Sequence, residues 1–117
     1  MPESNYEFYL WRHRYVTEQD KIVTRTCFGI TSNSDNRQNG YEGHVGHPIQ
    51  FEHLWSGPER LIRELETKVK QDFTEYLFRG HRNFVYEWIT EEIDFDTIVK
   101  YVEWEVGNLD GVKKVTQ

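Results

Sequence analysis

Apolar and polar positions repeat along this chain with two different periods, and the change of period marks the elements. Residues 6–16 are rich in aromatic and β-prone side chains, which predicts a strand. In residues 22–28, Ile22, Thr24 and Thr26 alternate with Val23, Arg25 and Cys27, the period of two expected of a second strand. The polar residues 17–21 between them predict the turn of an antiparallel hairpin. Thr31, Ser32, Asn33, Ser34 and Asp35 are residue types that cap helix starts, so a short helix through Arg37 follows and ends at Asn39-Gly40. Residues 40–48 hold three glycines and a proline and read as loop; residues 49–55 read as a third strand.

The period then becomes helical. Ser56-Gly57-Pro58-Glu59 fits a capping box, with Ser56 as N-cap. Ile62, Leu65, Val69, Phe73, Tyr76 and Leu77 form one apolar face, which predicts a helix to Arg79, stopped by Gly80. Residues 83–89 read as a fourth strand. Residues 94–106 read as a last helix, with Ile98, Tyr101, Val102 and Val106 turned inward and Gly107 as its stop. The expected fold is α+β: a small, mostly antiparallel sheet of three to four strands flanked by helices, with a C-terminal helix. The 117 residues fit a single domain, 1–117, made of a core at 6–90 and a helical extension and tail at 91–117.

Composition narrows this little. Hydrophobic residues at 37% and aromatics at 15% are enough for a folded core rather than a disordered chain. No apolar run reaches the roughly 18 residues of a membrane span, and the first residues lack the apolar stretch of a signal peptide. One cysteine, Cys27, excludes an intrachain disulfide and a Cys-based zinc site, so a reducing cytoplasmic location is expected. The net charge of −6 excludes a generic basic coat for nucleic acid. Residues 1–90 carry 11 Lys and Arg against 13 Asp and Glu, a balance of −2; residues 91–117 carry 3 against 7, a balance of −4. A focused basic site on the first 90 residues is compatible with that split.

Glu66 is the first residue that stands out chemically. Ile62, Val69 and Phe73 lie four before, three after and seven after it, so it shares the buried stripe of its helix. A carboxylate there costs free energy unless it is paired or holds a cation; the plainer reading is an edge residue reaching out from the core boundary. Arg37, on a short helix just after a strand, has the planar fork that binds phosphate bidentately, or is a solvated surface arginine. Arg12-His13-Arg14 beside Tyr15 can grip phosphates, with Arg12 the candidate contact. Arg79-Gly80-His81-Arg82 beside Phe84 is a second such cluster. His44 and His47, with His53 beyond, lie in the glycine-rich loop, where His44 is a candidate contact to a nucleic-acid backbone.

The segment Cys27-Phe28-Gly29-Ile30-Thr31-Ser32-Asn33-Ser34-Asp35-Asn36-Arg37 resembles the second half of the GIY-YIG nuclease signature. Gly29, Thr31, Asn33 and Arg37 match in spacing, Tyr41 falls where the family has His or Tyr, and Glu66 matches its metal-binding glutamate. Asn83 is the candidate for a later asparagine. The first half of the signature survives as Glu7-Phe8-Tyr9, and Cys27 stands where the second tripeptide has tyrosine. The resemblance covers roughly residues 6–90 and implies a divalent-metal-dependent endonuclease acting on DNA. In it Glu66 holds one Mg²⁺ or Mn²⁺, Arg37 binds the scissile phosphate, and Tyr9 with Tyr41 positions or deprotonates the water. Thr31, Asn33 and Asn83 line the substrate. Two copies, one site each, would cut two strands. With Cys27 in place of tyrosine, the other expectation is a module on the same fold that binds DNA or protein without cutting. A small interaction protein that merely shares the fold, meeting its partner through exposed aromatics, is a third.

Overall fold

The structure, a computed structural model, describes residues 4–45, 50–79 and 85–115; of residues 15, 35, 41, 43–45, 78, 79 and 85–87 it describes the backbone alone. The elements in chain order are β1 (Asn5–Val16), β2 (Ile22–Thr31), α1 (Ser34–Val45), β3 (His53–Pro58), α2 (Glu59–Asp72), a single 3₁₀ turn (Thr74–Tyr76), β4 (Leu77–Arg79), β5 (Val85–Ile89), α3 (Phe95–Gly107) and β6 (Lys113–Val115). The strands form one antiparallel sheet in the order β4-β5-β2-β1-β3-β6. The α+β class follows from the sequence pattern, but the sheet has six strands where three to four were expected.

β1 and β2 pair from Glu7–Thr31 to Val16–Ile22, so β2 runs three residues past Phe28, where the sequence reading ended it, because β1 offers it partners as far as Glu7. Its turn closes through Thr17, whose N–H donates to the Lys21 carbonyl (2.8 Å) and whose carbonyl accepts from the Asp20 N–H (3.0 Å). β1 is central because its other edge pairs with β3, from Asn5–Pro58 to Leu10–His53. Alternation along β1 then sorts the core into two layers. Phe8 and Leu10 join Phe28, Trp55, Ile62, Leu65, Val69, Ile98 and Val102 under α2 and α3. Tyr9 and Trp11 join Cys27, Phe51 and Leu54 on the opposite face. Ile98 and Val102 therefore bury α3 in the same core as the first 90 residues.

Four more boundaries differ from the sequence reading, three of them because a strand partner claims the residues. α1 continues past Asn39-Gly40 to Val45. β3 covers 53–58 rather than 49–55, so Ser56 is a strand residue paired with Glu7 and Lys113, not a helix cap. Pro58 is the residue at the N-cap of α2, without a side-chain cap, and the Glu59 N–H donates instead to the Ser4 carbonyl at 3.0 Å. α2 ends at Asp72, because Leu77–Arg79 is recruited to pair with β5. Phe73 and Leu77 still reach the core, from a turn and a strand rather than from one helix. The stop expected at Gly80 and the residues 46–49 and 83–84 lie outside the described residues. The tail, polar in sequence, contributes β6, and Gly107 is the last residue of α3.

Candidate functional site

The end of β2 and the start of α1 build the Arg37 position. The Thr31 hydroxyl accepts from the Asn33 N–H and donates to the Asn33 carbonyl, both at 3.1 Å, which turns the chain tightly out of the sheet. Asn33 then caps α1, its side-chain oxygen accepting from the Asn36 N–H at 3.1 Å, while its carbonyl accepts from the Arg37 N–H at 3.1 Å. Arg37 is thereby fixed one turn into the helix. The neighbouring Gln38 accepts through Oε1 from the Phe51 N–H at 2.9 Å, tying α1 to the segment before β3.

α2 brings the acid. Leu65 and Val69 are fully buried, and Glu66 between them has a side chain only 16% exposed. Its Oε1 lies 3.7 Å from Lys70 Nζ, one turn along. Arg37 and Glu66, 29 positions apart in sequence, line one open cleft of about 440 Å³ with Tyr6, Ile30, Thr31, Ser32 and Arg63. Sequence reasoning missed Tyr6 and Arg63. Tyr6 shares strand parity with Phe8 and Leu10 and so faces α2; Arg63 precedes Glu66 by three positions on the helix. The Arg63 guanidinium lies 5.4 Å from the Tyr6 ring centroid, and its Nε–H donates to Glu59 Oε2 at 2.6 Å. That bond holds its pKa above the ordinary arginine value.

The remaining expected site residues go elsewhere. Tyr9 and Cys27 lie on the opposite face of the sheet from Glu66. Tyr9 is buried and stacks on Phe51, rings 4.2 Å apart and nearly parallel, so it supports the segment that Gln38 grips. Burial pushes the Cys27 thiol up to about 12, against a smaller opposing effect of Arg25. Arg12 pairs with Glu52, through Nε at 3.0 Å and through Nη2, and its guanidinium lies 4.7 Å over the Phe95 ring. It lines a separate cleft of about 420 Å³ with Lys21, Asp94 and Phe95, about 20 Å along β1 from Tyr6. Thr31 borders the Arg37–Glu66 cleft, whereas Asn33 acts as the cap. The side chains of Tyr41 and His44, and the whole of Asn83, lie outside the described residues.

Glu66 is the one carboxylate among the side chains lining its cleft, and no three His, Cys, Asp or Glu side chains gather elsewhere among the described residues. A single half-buried carboxylate opening on a polar cleft suits a hard divalent ion that keeps most of its water and takes phosphate oxygens as further ligands. No helix among the described residues is long and apolar enough to cross a membrane. No protein-family model matches this chain, and neither a curated protein nor a solved structure matches it.

Proposed function

We propose that the chain is a divalent-metal-dependent endonuclease of the GIY-YIG type, hydrolysing DNA phosphodiester bonds at the Arg37–Glu66 cleft. The observation that carries the reading is the meeting of these two residues in one polar cleft, each having been selected separately from the sequence. Glu66 would hold Mg²⁺ or Mn²⁺, which when bound supplies charge stabilisation to the phosphate and the leaving oxygen. Lys70 compensates the carboxylate from the adjacent turn. Arg37 grips the non-bridging oxygens, where negative charge builds up during the reaction. Ser32 offers a hydroxyl at the cleft wall, whereas the Thr31 hydroxyl is committed to the Asn33 backbone. Among the described side chains Tyr6 is the phenol that lines the cleft, so the water-orienting role falls to it rather than to Tyr9.

The test is plasmid nicking. Supercoiled DNA with Mg²⁺ or Mn²⁺ should be nicked by the wild type, with loss of at least about a hundredfold in Arg37→Ala and in Glu66→Ala and a smaller loss in Tyr6→Phe. Cleavage that persists in Glu66→Ala overturns the assignment. A second reading draws on the far-face burial of Tyr9 and Cys27: a module that binds DNA without cutting it. An uncut plasmid that the wild type nevertheless shifts on a gel at low salt, and that Arg37→Ala does not shift, would select it.

A further inference from the structure

A second cleft adjoins the first at Arg63. Arg63 is a shared wall: it lines the 440 Å³ cleft with Arg37 and Glu66, and also a second cleft of about 260 Å³ with Ser4, Glu59 and Arg60. Arg60 and Arg63 are three positions apart on α2, which brings their Cβ atoms within about 5–6 Å on one face. Both side chains are exposed. The ionisable side chains along the two clefts other than Tyr6 are Arg37, Arg60 and Arg63 against Glu59 and Glu66, an excess of cation in a chain whose net charge is −6. Arg63 is held at the junction by the Tyr6 ring on one side and Glu59 on the other. The bond to Glu59 uses Nε, and the Tyr6 hydroxyl is a further partner of the guanidinium.

A Glu–Arg pair four apart on a helix is a common stabilising device, and by itself implies no ligand. The additional observation is that one arginine, Arg63, lines both clefts. We infer that Arg60 and Arg63 form a second phosphate subsite beside the Arg37–Glu66 cleft, so that the protein takes a polynucleotide strand with consecutive phosphates rather than a mononucleotide. The chemical class of the ligand rests on the nuclease reading; the track itself rests on the arginines. The first cleft holds the phosphate at Arg37, and the strand continues along the exposed side of α2 past Arg63 to Arg60. An entering phosphate competes with Glu59 for Arg63, and the counterions that each neutralised phosphate releases make binding dependent on salt.

Binding is measured by fluorescence anisotropy of a short labelled oligothymidylate in EDTA, where hydrolysis is stopped, across a range of salt. Arg60→Gln/Arg63→Gln should weaken binding roughly tenfold at low salt and lower the slope of log K against log salt by about 1.4, at about 0.7 per phosphate contact on a single strand. The control is Lys100→Gln/Lys113→Gln, which removes two exposed charges that line neither cleft. It should leave the slope unchanged. Circular dichroism of both doubles should match the wild type, since all four side chains are exposed. Equal losses in the two doubles, an unchanged slope in the first, or no binding by the wild type at low salt each overturn the track. Plasmid nicking separates this from the reading it rests on. Nicking by the wild type with an unchanged slope removes the track alone. A lowered slope without nicking keeps the track and removes the cutting.

Discussion

At position 27 a thiol stands where the resembled signature has tyrosine, and its surroundings explain why it is not a simple deletion of function. Cys27 packs with Tyr9, Trp11, Phe51 and Leu54 in the layer away from α2. Restoring tyrosine would add a ring to a filled layer. Cys27→Tyr should therefore cost about 1–3 kcal/mol by urea denaturation and bring no gain in nicking. The same burial gives a pH signature. The folded thiol keeps its proton up to about 12, whereas an ordinary thiol loses it near 9.0. The native state binds the extra proton above about pH 9, so this contribution to stability is complete below that pH and is lost as pH rises toward 12. Melting temperatures of the wild type should fall faster than those of Cys27→Ala across that window, and native Cys27 should react slowly with a disulfide reagent at pH 8. A parallel fall in both proteins would remove the argument.

At the scale of elements, the helices were legible where their own pattern fixed them and illegible where a strand competed. Glu66 could be chosen from the phase of α2 alone, because Ile62, Leu65 and Val69 set that phase whatever the helix packs on. α3 was legible at both ends: Asp94 caps it, accepting from the Thr97 N–H at 2.7 Å. The start of α2 was misread because Ser56-Gly57-Pro58-Glu59 satisfies the cap pattern while β1 and β6 hold Ser56 in the sheet. The end of α2 was misread because Phe73, Tyr76 and Leu77 keep helical spacing through a change of conformation. Tyr9 was chosen by likeness to a signature; strand parity, read strictly, points to Tyr6. The β3–α2 junction also carries a constraint that no local pattern reports. A Cβ on Gly57 would come within 2.9 Å of the Gly111 carbonyl oxygen and 3.0 Å of Val112 Cγ2. Gly57→Ala should therefore destabilise by about 1–3 kcal/mol in urea melts, since the nearest atom is backbone and cannot swing aside. A neutral result would mean that the turn before β6 relaxes freely.

For the whole molecule, charge and topology divide the work. No acidic residue of the described C-terminal quarter lines the Arg37–Glu66 cleft, so the net charge of −6 does not describe the cleft. β6 covers the outer edge of β3 through Leu54–Val115, Trp55–Lys114 and Ser56–Lys113, with Lys114 also paired to Glu103 of α3 at 2.9 Å. Removing residues 113–117 would leave the β3 backbone as a bare edge. The truncated protein should melt at lower temperature and aggregate in proportion to concentration; light scattering equal to that of the full chain would contradict this. The strand order also implies a sequence of events in time. β1 and β2 meet across a turn of a few residues, whereas Leu54 must find Val115 about sixty positions away, a costlier closure. Thr31 and Arg37 hang on this local hairpin, whereas Glu66 and Arg63 depend on the long-range closure of β3 on β1. As a rim strand paired to β3, β6 should act on unfolding: removing residues 113–117 should speed unfolding and leave the refolding rate unchanged in stopped-flow measurements, and slowed refolding would contradict this.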